Sequence, residues 1–356
     1  MAAKAQSIEQ LKSLAEQGDA KAQVELGLRY SSGDGVVQDR VEAGKWLEKA
    51  AKQNYAEGQR YYGFMFYAGA FGEQDITEAI KWFKLAAAQN DGISQDILGN
   101  IYDLTPEVQD YNEALKWYRL AAENGIVEAQ YNIAGFYFYG KGVNPDLTEA
   151  IKWYRLAAEQ GFAMAQNELG LCYQEGVGVE QNDIEAAKLF KLSAEQGCPE
   201  GCLNMAYCYF DGRGVEQNPE KAVEWCLVAA RNEYLPAMHL MGVLHQDGIG
   251  VDKNEAEAYN WYYAAATQGY PESQYAAGCC HLYGIGTLKS IVHAAFWYDH
   301  AANQGHVNAQ FMLACCYYEE SPIRNPEQGM YWFRIAARNG HEKAREFLKE
   351  WGESWE

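Results

Sequence analysis

Positive charge is scarce in this chain, and so are long apolar runs and ordered cysteine spacings. Against 49 Asp and Glu stand 29 Lys and Arg, a formal charge of −20. A surface this acidic repels phosphate backbones and anionic lipid, so no nucleic acid and no membrane is expected as a partner. A basic or largely apolar protein or extended peptide fits better. No apolar run approaches the ~20 residues of a membrane span. The opening Met1-Ala2-Ala3-Lys4-Ala5-Gln6-Ser7 lacks the apolar stretch of a signal peptide. A cytoplasmic location is expected, or a periplasmic or secreted one if a signal has been removed.

The nine cysteines are an odd number. Cys172, Cys208, Cys280 and Cys316 share a position that Leu244 also fills, so they read as small buried hydrophobes. The adjacent pairs Cys279-Cys280 and Cys315-Cys316 are unlike a secreted disulfide framework. Reduced thiols are expected. All seven His lie after residue 238. His245 and His281 take the place of Tyr30, Tyr102 or Tyr173 elsewhere, so they could stack in adjacent repeats. With only His239 nearby they do not make a closed four-ligand site. No Cys/His signature marks an activated nucleophile. No metal, no cofactor and no catalytic residue is expected.

What the chain does have is a period. Gly27, Gly63, Gly99, Ala134, Gly170, Ala206, Gly242, Gly278 and Ala314 follow in steps of 36, with one step of 35 after Gly99. Trp46, Trp82, Trp117, Trp153, Leu189, Trp225, Trp261, Trp297 and Trp332 run beside them. Self-similarity at this period marks a stacked solenoid, in which each unit buries its apolar face against its neighbours. The unit AQNELGLCYQEGVGVEQNDIEAAKLFKLSAEQG, from Ala165 to Gly197, has Ala165, Leu169, Gly170 and Tyr173 at helical spacing. A Gly-x-Gly turn follows, then a second helix. The repeated Trp reads as core.

Each second helix opens with a capping box, in which N-cap and N3 side chains satisfy each other's backbone donors. The pairs are Asp39/Glu42, Asp75/Glu78, Asp110/Glu113, Asp146/Glu149, Asn182/Glu185, Asn254/Glu257 and Asn325/Gln328; Asn218 and Ser290 keep half of it. The turn pairs, from Gly33/Gly35 to Gly284/Gly286, need positive φ. They lack the preceding strand of a phosphate loop. Thr105-Pro106 and Glu319-Glu320-Ser321-Pro322 replace them in the third and ninth units.

The chain divides on this reading into an N-terminal capping helix (1–19), an array of nine units (20–340), and a C-terminal capping helix with an acidic tail (341–356). Lys349 takes the small position in the last helix, where its charge forbids a further unit. Whether Trp351 and Trp355 are exposed or fold back is left open by the sequence.

The series Ala-x-x-x-Leu-Gly-x-x-Tyr, Gly-x-Gly-Val, Glu-Ala-x-x-Trp and Ala-Ala-x-x-Gly resembles the Sel1-like repeat, a relative of the tetratricopeptide repeat; one copy reads AQVELGLRYSSGDGV, then EAGKWLEKAA. The resemblance implies an all-α solenoid, a right-handed superhelix of helix pairs whose first helices line a concave groove. It implies a non-enzymatic scaffold or adaptor; the alternative, since some bacterial members resemble immunity proteins, is an inhibitor of a basic effector. A secreted branch joins the second Ala of the Ala-Ala pair by disulfide to a Cys eight residues later. Here those positions read Ala194/Cys202 and Ala158/Gln166, so the bridge is absent. The penicillin-binding activity proposed for that branch is not carried over.

By the same analogy, groove residues lie three before and one, four and five after the small position. These are Phe64, Tyr67, Tyr131, Phe138, Tyr139, Tyr207, Phe210, Tyr275, Tyr283, Phe311 and Tyr318. Carboxylates fall between them at Asp96, Asp103, Glu175, Asp211, Asp247 and Glu319. Aromatic anchors carry interface energy, and alternation with acids suits a peptide bearing apolar and basic side chains.

Overall fold

The computed structural model describes residues 7–318 and 322–355, and among them the regular elements are twenty helices and no strand. The chain falls into two compact units. The first, running to Ala165 and taking Val177–Val179 as well, holds α1 (Ile8–Glu16), α2 (Ala20–Ser32), α3 (Arg40–Lys52), α4 (Ala56–Tyr67), α5 (Ile76–Ala87), α6 (Gly92–Leu104), α7 (Tyr111–Glu123), α8 (Val127–Tyr139) and α9 (Leu147–Glu159). Helix α10 (Ala163–Glu175) straddles the boundary. The second unit holds α11 (Asp183–Glu195), α12 (Pro199–Asp211), α13 (Pro219–Arg231), α14 (Leu235–Asp247), α15 (Glu255–Thr267), α16 (Pro271–Tyr283), α17 (Ile291–Asn303), α18 (Val307–Tyr318), α19 (Pro326–Arg338) and α20 (Glu342–Glu350).

Even-numbered helices from α2 to α18 are the first helices of a repeat, and odd-numbered ones from α3 to α19 the second. A first helix packs on the second helix of its own repeat, as α6 on α7, and a second helix on the next first helix, as α17 on α18. The small residue sets that approach. A Cβ on Gly99 would lie 2.5 Å from the Tyr118 ring, and one on Gly242 2.4 Å from Tyr262 Cε1. The partner ring follows the repeated Trp by one residue, and it is this residue that fills the core. Tyr118, Tyr298, Phe83 and Phe190 are at most 1% exposed. The Trp, expected as core, sits at its margin: Trp46, Trp297 and Trp332 are just buried, and Trp82, Trp117, Trp153, Trp225 and Trp261 are only partly so.

The turn glycines behave as their spacing requires. Gly284 caps α16 at φ 77°, and Gly286 follows at φ 64°. A Cβ on Gly286 would sit 1.9 Å from the Glu255 carbonyl oxygen, so both backbone handedness and contact demand Gly. A third departure from the rule appears in the second repeat, where α4 ends at Tyr67 with Ala68 in the right-handed region. Phe71 from that loop fills the space left by Gly44 on α3. Thr105 ends α6 in extended conformation ahead of Pro106. Glu319, Glu320 and Ser321 lie outside the described residues.

The capping boxes form only by half. Every expected N-cap side chain accepts from its N3 amide, as Asp39 from Glu42 and Asn254 from Glu257. The N-cap amide itself is taken by the preceding first helix: Asp39 N–H donates to Tyr30 O at 2.9 Å, and Asn254 N–H to His245 O at 2.8 Å. The N3 carboxylate is thereby released to pair with a Lys three residues on, as Glu78 does with Lys81 at 2.7 Å. Among the described residues both halves of the box form only at α1, between Ser7 and Gln10.

A buried amide relay ties successive repeats. Gln95, 1% exposed, donates to Ala87 O at 3.1 Å on the preceding second helix and accepts from Asn124 at 2.8 Å on the following one. Gln23 with Gln53, Gln59 with Gln89, Gln130 with Gln160, Gln166 with Gln196, Gln274 with Gln304 and Gln310 with Asn339 repeat the pairing. Cys202 and Met238 interrupt it.

Beyond α20 the chain turns back on α19. Arg338 Nε donates to Trp355 O at 2.6 Å, and Arg334 pairs with Glu353. Trp355 is partly buried, while Trp351 remains 60% exposed, stacked on Phe347 and edge-on to Tyr318.

Candidate functional site

On each first helix the expected positions form a flank beside the packed stripe. In the first unit, Phe64 stands edge-on to Phe83 at 5.3 Å. It borders an apolar depression of about 360 Å³ between α2 and α4, together with Leu28, Leu47, Tyr61 and Met65. Tyr67 is half-buried, and Tyr139 is 67% exposed with Phe138 packed under it at 5.0 Å. Tyr131 is not free for a partner on both faces, since it packs on Tyr154 and on Phe162 just ahead of α10, 5.8 and 5.3 Å away.

The acids of this unit are built in rather than solvated. Asp96 lies half-buried on α6, its Oδ2 accepting from Asn100 Nδ2 at 3.0 Å while Oδ1 is buried without a partner. Burial, and secondarily the Glu128 carboxylate, push its pKa up to about 6, against the opposing hydrogen bond from Asn100. Asp103 is 8% exposed and meets Lys141 Nζ at 3.3 Å.

In the second unit, Tyr207 and Tyr283 are exposed, Phe210 is half-buried, and Glu175, Asp211 and Asp247 point to solvent. Tyr275 and Phe311 are again claimed by the residue just ahead of the following helix, stacked on His306 at 4.7 Å and on His341 at 4.2 Å. Tyr318 is enclosed by Phe333, Phe347 and Trp351. These ring stacks join residues about thirty positions apart in the sequence, which no local spacing reveals.

His281 does not stack with His245. It lies on His293 at 5.1 Å and shares a hydrogen bond with the Tyr259 hydroxyl at 3.0 Å. His239 pairs with Ser273 Oγ at 3.0 Å. His306 and His341 use Nδ1 to cap α18 and α20, accepting from Ala309 and Ala344 amides. Among the described residues no three His, Cys, Asp or Glu converge as a metal site would require. None of the nine cysteines is in a disulfide, and burial raises the thiols of Cys172, Cys202 and Cys208 to about 11. These three are packing groups, held as thiols at neutral pH. No helix is long and apolar enough to cross a membrane among the described residues.

One signal emerges only once the helices are sorted by role. From α6 to α18 the seven first helices carry no Lys or Arg at all, and they carry nine Asp or Glu. The cations of this stretch sit on the second helices and in the turns. From α6 onward the first helices are therefore anionic, whereas α2 carries Lys21 and Arg29 and α4 carries Arg60.

A family model for the Sel1 repeat matches nine stretches: residues 20–55, 56–91, 101–126, 127–162, 163–198, 199–234, 235–270, 271–306 and 307–341. A search of curated proteins finds no significant match. Among solved structures, a protective antigen of uropathogenic Escherichia coli with an SLR fold is 34% identical, with a TM-score of 0.76 over 99% of this chain and 77% of its own. A Sel1 repeat protein from Oxalobacter formigenes is 31% identical, with a TM-score of 0.69 over 85% of this chain and 88% of its own. An immunity protein from Pseudomonas aeruginosa is similar at 19% identity and a TM-score of 0.40 over 61% of this chain and 83% of its own, too distant to argue from. Sel1 repeats are a fold of protein–protein interaction, typically scaffolds without catalytic activity. The matched stretches cover nearly the whole array, and the chain belongs to the Sel1 repeat family.

Proposed function

We propose that this chain is a non-enzymatic scaffold or adaptor that holds a partner protein or extended peptide against its first helices. The observation that carries the reading is the segregation of charge: aromatics and carboxylates without a single Lys or Arg on α6, α8, α10, α12, α14, α16 and α18. Such a face suits a partner offering basic and apolar side chains. Phe64, Tyr67, Phe138, Tyr139, Tyr207, Phe210 and Tyr283 are the anchors favoured, with Glu175 and Asp211 between them, whereas Asp96 and Asp103 are held by Asn100 and Lys141 and offer little to a partner. Tyr131, Tyr275, Phe311 and Tyr318 offer only one face or edge, because ring partners hold the rest. The helices are preformed, so association orders little of the receptor. A charge of −20 also fits an inhibitor that neutralises a basic effector, and would speed its capture.

The test is capture from native lysate by wild type and by a Tyr139→Ala, Tyr283→Ala variant, both side chains being exposed enough to spare the core. Partners held by wild type and lost by the variant support the reading. Partners held equally by both refute the residue assignment. Several weak partners point to an adaptor; one tight, strongly salt-dependent partner points to the inhibitor.

A further inference from the structure

In the regular repeats the turn between the two helices closes on the helix before it. The second turn glycine lies against the first residue of the preceding second helix: Gly142 on Tyr111, Gly178 on Leu147, Gly214 on Asp183, Gly250 on Pro219 and Gly286 on Glu255. The second repeat lacks this contact. Phe71 stands at the position of that glycine, and its ring turns onto α3 instead, with Cε1 2.4 Å from where a Cβ on Gly44 would be. The first residue of α3, Arg40, is left exposed.

An apolar depression of about 360 Å³ opens there between α2 and α4. Leu47 and Met65 are buried beneath it, Tyr61 and Phe64 line it from α4, and Ser31 and Arg40 bring polar groups to it. Apolar walls with a few convergent polar groups are the usual form of a ligand pocket. The volume lies at the small end of the range of about 300–1,000 Å³ for such pockets, which suits one large side chain and not a length of peptide.

Arg40 decides what accompanies that side chain. Among the described residues it has no acidic partner, and the acids beside it on α3 are taken. Asp39 accepts from the Val41 and Glu42 amides, and Glu42 holds Lys45 at 2.9 Å. The planar guanidinium fork matches a carboxylate with two parallel hydrogen bonds. In a peptide, a large apolar side chain and a carboxylate stand on the same Cα only at the C-terminal residue. We infer that this depression binds the C-terminal residue of a partner chain, its apolar side chain filling the space and its α-carboxylate pairing with Arg40. The depression shares only Phe64 with the proposed function, lies outside the anionic helices and takes an anion, so the inference holds or fails apart from that reading.

The test is fluorescence polarisation of the full chain with the labelled peptide fluorescein-Gly-Ser-Gly-Ser-Leu carrying a free C-terminus. The same peptide as its C-terminal amide, and one ending in Ser, are the comparisons. The amide and the Ser peptide are expected to bind at least about 10-fold more weakly than the free acid, the effect of losing a charge-assisted hydrogen bond or a buried apolar side chain. Arg40→Gln, at an exposed residue, is expected to erase the difference between acid and amide. Ala68→Trp, exposed at the rim, is expected to abolish binding by filling the space, with helicity unchanged. The Tyr139→Ala, Tyr283→Ala variant is expected to bind the peptide as wild type does. No binding of the free acid up to about 1 mM protein overturns the inference, as does equal binding of acid and amide by wild type. Binding that survives both Arg40→Gln and Ala68→Trp, or that is lost with Tyr139→Ala and Tyr283→Ala, places the peptide elsewhere and overturns it as well.

Discussion

Replace Gly242 by Ala, and two effects of similar size oppose each other. Ala favours the helix over Gly by about 0.8–1.0 kcal/mol. The new Cβ, however, would lie 2.4 and 2.5 Å from Tyr262 Cε1 and Cδ1, where carbon atoms settle at about 3.5–4.0 Å. The ring is 3% exposed and cannot swing into solvent, so α14 and α15 must part by about 1 Å in a close-packed interior. Overpacking of that kind costs about 1–3 kcal/mol. The clash wins, and Gly242→Ala should destabilise by about 0.5–2 kcal/mol. Shrinking the ring reverses the balance. In the preceding repeat Ala206 stands at the small position and Cys226 at the position of Tyr262. Tyr262→Cys alone leaves a cavity and should cost about 3–5 kcal/mol. In that background Gly242→Ala should become stabilising, by up to about 1 kcal/mol, leaving only its helix preference. Unfolding of a repeat array need not be two-state. Local free energies from hydrogen exchange of the α14 and α15 amides are therefore the measurement. An equal cost of Gly242→Ala in both backgrounds would refute the packing argument.

Gln95→Ala should cost about 2–4 kcal/mol, because it orphans the Asn124 amide and leaves a void. Gln95→Met should cost roughly half as much, since it fills the space as Met238 does four repeats on; equal urea midpoint shifts for the two would contradict the relay. Acid should loosen the end of the second unit. Burial lowers the pKa values of His306 and His341, and each must stay neutral at Nδ1 to cap its helix. Histidines with lowered folded values give stability that is intact above the ordinary value of about 6.5 and is lost as pH falls from there toward the folded values. His341→Asp should shrink that loss, because Asp19 and Asp91 cap α2 and α6 from the same position. A melting-temperature profile against pH that is identical for wild type and His341→Asp would count against it.

Helix pairs, turn glycines and N-cap side chains were legible because each depends on residues within a few positions. The second half of the capping box was not, because a carbonyl nine residues earlier takes the amide it needs, as Tyr30 does for Asp39. The core ring after Trp was hidden beside a larger and more regular neighbour. The amide relay had a signal that composition obscures: Gln23, Gln59, Gln95, Gln130, Gln166, Gln274 and Gln310 recur with the period, and a buried polar residue recurring in register implies a fixed partner. For the candidate site, the anionic flank could have been read from the sequence by sorting charges by helix. The stacks at Tyr131, Tyr275 and Phe311 could not, since Phe162, His306 and His341 lie about thirty residues further on, at the end of the same repeat.

A row of joints deforms first at its most compliant member. Each glutamine acts as a rivet between neighbouring repeats, and within the second unit two successive rivets are missing. Cys202 offers only a sulfur contact to Ala194 O at 3.6 Å, and Met238 receives Gln268 at 3.9 Å. Strain imposed on this unit by a bulky or curved ligand will therefore concentrate around α12 and α14, so the place where the unit can change its curvature is written in two amino acids.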